Sequence, residues 1–122
     1  FRDCVEYKNV LYLGFMDSYN IYNAYRFAKL HVLPSFMETP GFSSLEAAAS
    51  GCNIVSTIEG SAKEYFKNMA IYCDPYNEES IYNSVEEGLR KPKGDQLKIW
   101  VKKEYSWDKY ITSLYECYRK LI

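Results

Sequence analysis

Along the chain, short and nearly unbroken apolar runs alternate with stretches in which apolar residues recur every three or four positions. The runs are Asn9 to Gly14 (NVLYLG), Leu30 to Ser35 (LHVLPS), Asn53 to Thr57 (NIVST) and Ala70 to Cys73 (AIYC). Such runs predict strands covered on both faces, as in a parallel sheet. Ile21, Ala24, Tyr25 and Ala28 recur at helical spacing between the first two runs, and Leu45, Ala48 and Ala49 do so between the second and third. Both stretches read as crossover helices. After Cys73 the period stays helical: Ile81, Val85 and Leu89 form one stripe, Leu97, Trp100 and Val101 a second, and Trp107, Ile111, Leu114, Tyr118 and Leu121 a third. Two or three tail helices packed on the sheet are expected. Local punctuation agrees. Ser61-Ala62-Lys63-Glu64 fits a capping box, Asn77 and Ser106 fit helix N-caps, and Gly51 stands where a helix C-cap belongs. The fold class is α/β, a Rossmann-like parallel sheet with flanking helices.

Composition narrows the function. With 122 residues, 48% of them hydrophobic, the chain supports one core and so one domain, residues 1–122. A net charge of −1 leaves no electrostatic footprint for nucleic acid. Cys4, Cys52, Cys73 and Cys117 include no C-x-x-C pair, and His31 is the one histidine, which excludes a zinc ribbon or finger. Reduced, buried thiols in a cytoplasmic chain are expected, and no run is long enough to span a bilayer. His31, Trp100 and Trp107 read as packed side chains. The basic residues Arg90, Lys91, Lys93, Lys98, Lys102 and Lys103 read as a solvated face.

The chemically informative segment is Leu33 to Val55 (LPSFMETPGFSSLEAAASGCNIV): a strand end, a Pro-Ser turn, a loop and an Ala-rich helix. Ligands of open parallel sheets bind beyond the carboxyl ends of the strands, where loops feed helix N-termini. A helix opening near Phe42 or Ser43 offers the backbone N–H groups of Phe42, Ser43 and Ser44 to a phosphate, and Gly41 permits close approach. Glu38 on the loop and Glu46 about one turn into the helix flank that position. A carboxylate accepts two hydrogen bonds at once and suits vicinal sugar hydroxyls. The same spacing also fits a capped helix with solvated acids. Ser35, directly after Pro34, reads as a brace for the loop, and Cys52 as a small buried residue.

Glu38 and Glu46 form an E-x7-E pair. With the preceding LPS and the following EAAASG they resemble the signature of retaining glycosyltransferases of family 4, called glycosyl transferase group 1. Other landmarks keep the family's order. NVLYLGF is similar to its strand ending in Leu-Gly, GCNIVST to the strand after the motif helix, and EGSAKEYF, IYCDPYNEESI and YSWDKYITSLYECY to its acidic turn, Asp-Pro strand exit and Trp-bearing last helix. Two departures stand out: Thr39-Pro40-Gly41-Phe42 where the family often has Gly-Phe-Gly after the first Glu, and Asn53 where it often has Pro.

The resemblance implies the C-terminal, donor-binding half of a two-domain GT-B enzyme that uses a nucleotide sugar, with no metal or other cofactor. Glu38 would contact the transferred sugar and stabilise charge as its bond to phosphate breaks, and Glu46 would hold the ribose. Gly41, Phe42, Ser43 and Ser44 would supply backbone amides to the donor, with Gly14, Phe15 and Met16 near the base. The family's donor half opens with two strands, an Arg and a Lys that would precede Phe1. The chain is therefore expected to be a fragment with little or no transfer activity alone, and its open sheet edge to pair with a second copy as a homodimer. The implied whole is a hexosyltransferase of cell-envelope or capsule polysaccharide synthesis, cytoplasmic or peripheral to the inner face of the plasma membrane. Its glycan or lipid-linked acceptor would bind a separate N-terminal domain. The alternative is a non-catalytic nucleotide-sugar-binding module.

Overall fold

A computed structural model describes residues 8–39 and 41–121; Cys4 lies outside them. Three parallel strands, β1 (Leu30–Leu33), β2 (Asn53–Thr57) and β3 (Ile71–Cys73), stand in the order β1-β2-β3. Leu30 lies opposite Asn53, and Val55 opposite Ile71. Helix α1 (Ser18–Phe27) precedes β1, α2 (Phe42–Ser50) joins β1 to β2, and α3 (Ala62–Phe66) joins β2 to β3. The tail holds α4 (Glu78–Arg90), α5 (Gln96–Glu104) and α6 (Trp107–Arg119).

Parallel crossovers share one hand, so strands added in one direction send successive helices to one face. That face carries the larger core. Ala47 and Ala48 of α2, Ala62 and Phe66 of α3, and Leu97 and Val101 of α5 pack around Ile54. Val55, Ile71 and Cys73 form the core of the opposite face, with Leu30 and with Ile81 of α4. Strand β2 is buried along its whole length, its polar Asn53, Ser56 and Thr57 included. The buried stripe of α2 is Ser44, Ala47 and Ala48, rotated by about one residue from the expected Leu45, Ala48 and Ala49.

Several expectations are corrected. Asn9 to Gly14 forms no strand, and Val10, Leu11, Tyr12 and Leu13 are exposed. Apolar residues make a strand only where a neighbouring backbone takes its N–H and C=O groups, and no described strand pairs with this run. Helix α1 therefore leads into β1 with no strand before it among the described residues. Ser61 does not close a capping box: its φ of −95° and ψ of 1° lie outside the extended region that an N-cap needs, and its side chain caps nothing. Asn77 and Ser106 do cap, accepting from the N–H groups of Ser80 and Lys109.

Helix α6 buries none of its residues, and Trp107 is 78% exposed. It is amphipathic but unpacked, because periodicity shows that a face is apolar without naming its cover. Trp100 is half-buried, its Nε1–H donating to the Tyr65 carbonyl at 2.8 Å. Cys117 is exposed, whereas Cys52 and Cys73 are buried thiols as expected. Two lysines of the basic cluster tie elements together: Lys93 donates to the Arg26 and Ala28 carbonyls at the end of α1, and Lys91 to that of Met69. Among the described residues no helix is long and apolar enough to cross a membrane.

Candidate functional site at the carboxyl edge of the sheet

The loops leaving β1 and β2 meet at Glu38. Pro34 ends β1, since the residue before a proline is held extended and the proline itself has no N–H for the ladder. Four residues later Glu38 forms an isolated parallel bridge with Gly60, and the Ser61 N–H donates to the Glu38 carbonyl at 3.0 Å. Gly60 has φ +88°, and a Cβ there would lie 2.4 Å from the Glu38 carbonyl oxygen. No other residue type fits this approach. The Glu38 side chain accepts a hydrogen bond at Oε2 from the Ser35 hydroxyl, at 2.8 Å.

Gly41 then starts α2 in the left-handed conformation, φ 59° and ψ 48°. A Cβ on Gly41 would come within 3.1 Å of Glu38 Cγ, so the carboxylate-bearing side chain lies along the bare edge of Gly41. Where Asp17, Asn77 and Ser106 cap α1, α4 and α6 with their side chains, none caps α2. The first intrahelical bond is Leu45 N–H to the Gly41 carbonyl. The helix thus opens beside a carboxylate, with backbone and dipole suited to an anion.

Glu38, Gly41 and Ser44 close over a small packing gap with Ser56, Ala62, Tyr65 and Phe66, too tight to hold a water. Ser44 is 1% exposed, and neither its Oγ nor that of Ser56 has a hydrogen-bond partner among the described residues. Buried hydroxyls are usually paired, so these two stand out as unpaired polar groups beneath the Glu38 loop. Phe42 and Glu46 point outward and are exposed, and Ser43 is half-buried. Glu46 stands over α1, where it adds to the burial that raises the Tyr25 hydroxyl above its ordinary range. Gly14, Phe15 and Met16 occupy the turn leading into α1; Gly14 has φ +65° and Phe15 is fully exposed. None of these three lines the gap beneath Glu38.

Two features escaped the sequence. Phe36 and Tyr76, from the loops after β1 and β3, bring their exposed rings within 5.1 Å of each other at the same edge; nothing in their spacing pairs them. Cys52 has a basic neighbour, Lys93, but burial outweighs it and raises the thiol above its ordinary value. That thiol donates to the Tyr25 carbonyl at 2.9 Å, as a packed residue does. His31 packs edge-on against Tyr25, the two rings 5.6 Å apart, and its buried Nε2 has no hydrogen-bond partner among the described residues. Burial lowers its pKa, opposed by the negative charge of Glu38.

Asn53 accounts for its departure from proline: its side-chain amide donates to the carbonyls of Gly88 and Lys91, at 3.2 and 2.9 Å, closing the end of α4.

Comparison with known proteins gives the family. The family model described as glycosyl transferases group 1 matches residues 5–110. An uncharacterized glycosyltransferase of Methanocaldococcus jannaschii is 32% identical over 106 residues, spanning 81% of this chain and 27% of the relative. A sucrose-phosphate synthase from Thermosynechococcus elongatus shares the fold with a TM-score of 0.80 at 21% identity, over 89% of this chain and 29% of that one. The chain thus spans little more than a quarter of each, as the Rossmann-like C-terminal part of a GT-B fold. With the match running from before the exposed apolar run into α6, the loop bearing Glu38 and the helix bearing Glu46 belong to a member of the group 1 glycosyl transferases.

Proposed function

We propose that the chain is the donor-binding part of a retaining glycosyltransferase that moves a hexose from a nucleotide sugar to a glycan or lipid-linked acceptor. The observation that carries this reading is the placement of the Glu38 carboxylate against Gly41 at the uncapped start of α2. A diphosphate on the amides of Gly41, Phe42, Ser43 and Ser44 would leave its sugar beside Glu38 and its ribose toward Glu46. Each carboxylate would accept from sugar hydroxyls, and Glu38 would stabilise positive charge developing at the anomeric carbon as the bond to phosphate breaks. Gly14, Phe15 and Met16, in the exposed turn before α1, would meet the base. The ligand set is a nucleotide sugar without metal. Cell-envelope or capsule polysaccharide synthesis is the setting we favour.

The loop and helix from Ser35 to Ser50 carry no Lys or Arg to neutralise a departing diphosphate, so this chain alone should bind donor and transfer little. Amide NMR of the 122-residue chain titrated with UDP-glucose, GDP-mannose and ADP-glucose tests the reading. Shifts at Gly41, Phe42, Ser43 and Ser44 with at least one of them support it. Shifts absent from these residues with all three, or sugar transfer at the rate of a complete enzyme, would overturn it.

A further inference from the structure

A carboxylate that must present itself to a ligand needs its two oxygens told apart and its rotamer settled before the ligand arrives. The bridge to Gly60 and the Ser61 N–H fix the Glu38 backbone, yet three side-chain torsions remain. The contact that settles them comes from three residues upstream. Ser35 and Glu38 are both half-buried, and the Ser35 hydroxyl donates to Oε2 at 2.8 Å. On the other side of the carboxylate, Oε1 lies nearer the bare edge of Gly41, 3.8 Å from where a Cβ would stand.

We propose that Ser35 is a positioning residue for Glu38: its hydroxyl ties down Oε2 and leaves Oε1 free to accept from the bound sugar. The inference rests on the donor-site reading of Glu38. Because Ser35 touches the carboxylate and not the phosphate amides, its loss acts on the sugar part of the ligand alone. The rotamer freedom of Glu38 is given up on folding, so binding does not have to remove it.

The test compares affinity for a nucleotide sugar with affinity for the matching nucleoside diphosphate, using UDP-glucose against UDP, GDP-mannose against GDP and ADP-glucose against ADP. The chain is measured as wild type, Ser35→Ala and Ser35→Thr. In the wild type at least one nucleotide sugar binds more tightly than its diphosphate. Ser35→Ala reduces that preference by about tenfold, the loss of one hydrogen bond to a charged group, with diphosphate affinity unchanged. Ser35→Thr keeps the hydroxyl and retains the preference. Equal weakening of both ligands in Ser35→Ala, or an undiminished preference, overturns the positioning role while leaving the donor reading intact. Loss of preference in a folded Ser35→Thr also overturns it. A wild type that holds no nucleotide sugar better than its diphosphate overturns the reading of Glu38 itself, and this inference with it.

Discussion

Gly60 stands against Glu38 so closely that a Cβ on it would meet the Glu38 carbonyl oxygen at 2.4 Å and the Glu38 nitrogen at 2.9 Å. The loop after β2 thereby sets the position of the loop after β1. Gly60→Ala combines a left-handed backbone with a clash against backbone atoms that cannot rotate away. It should cost about 2–4 kcal/mol in urea unfolding and abolish donor-induced shifts at Gly41. A change below about 0.5 kcal/mol, the range of neutral surface substitutions, would show that the two loops are not clamped.

Asn53 offers a test of the core independent of the site. Asn53→Ala removes both bonds that close α4 and leaves the Gly88 and Lys91 carbonyls without that partner. The loss should be about 1–3 kcal/mol, read by urea unfolding. Donor binding at the opposite edge of the sheet should persist wherever the chain remains folded.

His31 gives a pH dependence with a fixed sign. Burial lowers its folded pKa below the ordinary 6.5, with Glu38 opposing in part, so the unfolded chain takes up a proton more readily than the folded one. Its contribution to stability is intact above about pH 6.5 and is lost as pH falls toward the folded pKa, by at most about 1.4 kcal/mol per pH unit. Because it is the chain's one histidine, unfolding measured between pH 7 and 5.5 isolates it from the carboxylates. His31→Phe should flatten that segment of the curve. An unchanged slope in the variant would assign the dependence elsewhere.

The exposed stripe of α6 predicts a difference between the two tryptophans. Trp107, packed edge-on against Tyr110 at 5.9 Å, is otherwise open, whereas Trp100 is anchored to the Tyr65 carbonyl. Acrylamide should quench Trp107 strongly and Trp100 weakly in the respective single-tryptophan variants. Trp107→Ala should shift stability by no more than about 0.5 kcal/mol. A large loss would mean that α6 is packed in solution.

What could be read in the sequence was what local chemistry decides. Helix α2 runs between Gly41 and Gly51 because both adopt left-handed conformations that glycine tolerates, and Asn77 and Ser106 cap as their side chains require. Strands β1 and β2 lie where the apolar runs predicted them. Misreadings came where a distant partner decides. Asn9 to Gly14 has the apolarity of a strand but joins none of the described strands. Ser61 has the spacing of a capping box, yet its N–H serves Glu38, and its backbone follows that bond. At the site, the Glu38 and Glu46 pair was legible from the E-x7-E pattern. The clamp by Gly60 was not, since a backbone approach across 22 positions leaves only a glycine as its trace. Phe36 against Tyr76 left none.

The most direct test of the donor site uses saturation-transfer NMR of UDP-, GDP- and ADP-sugars bound to the wild-type chain and to Glu46→Ala. Glu46 is exposed on α2, so the variant should fold unchanged. The account predicts that wild type saturates both hexose and ribose protons of at least one donor, and that Glu46→Ala loses the ribose contacts while the chain stays folded. Ribose contacts that persist unchanged in Glu46→Ala would contradict it.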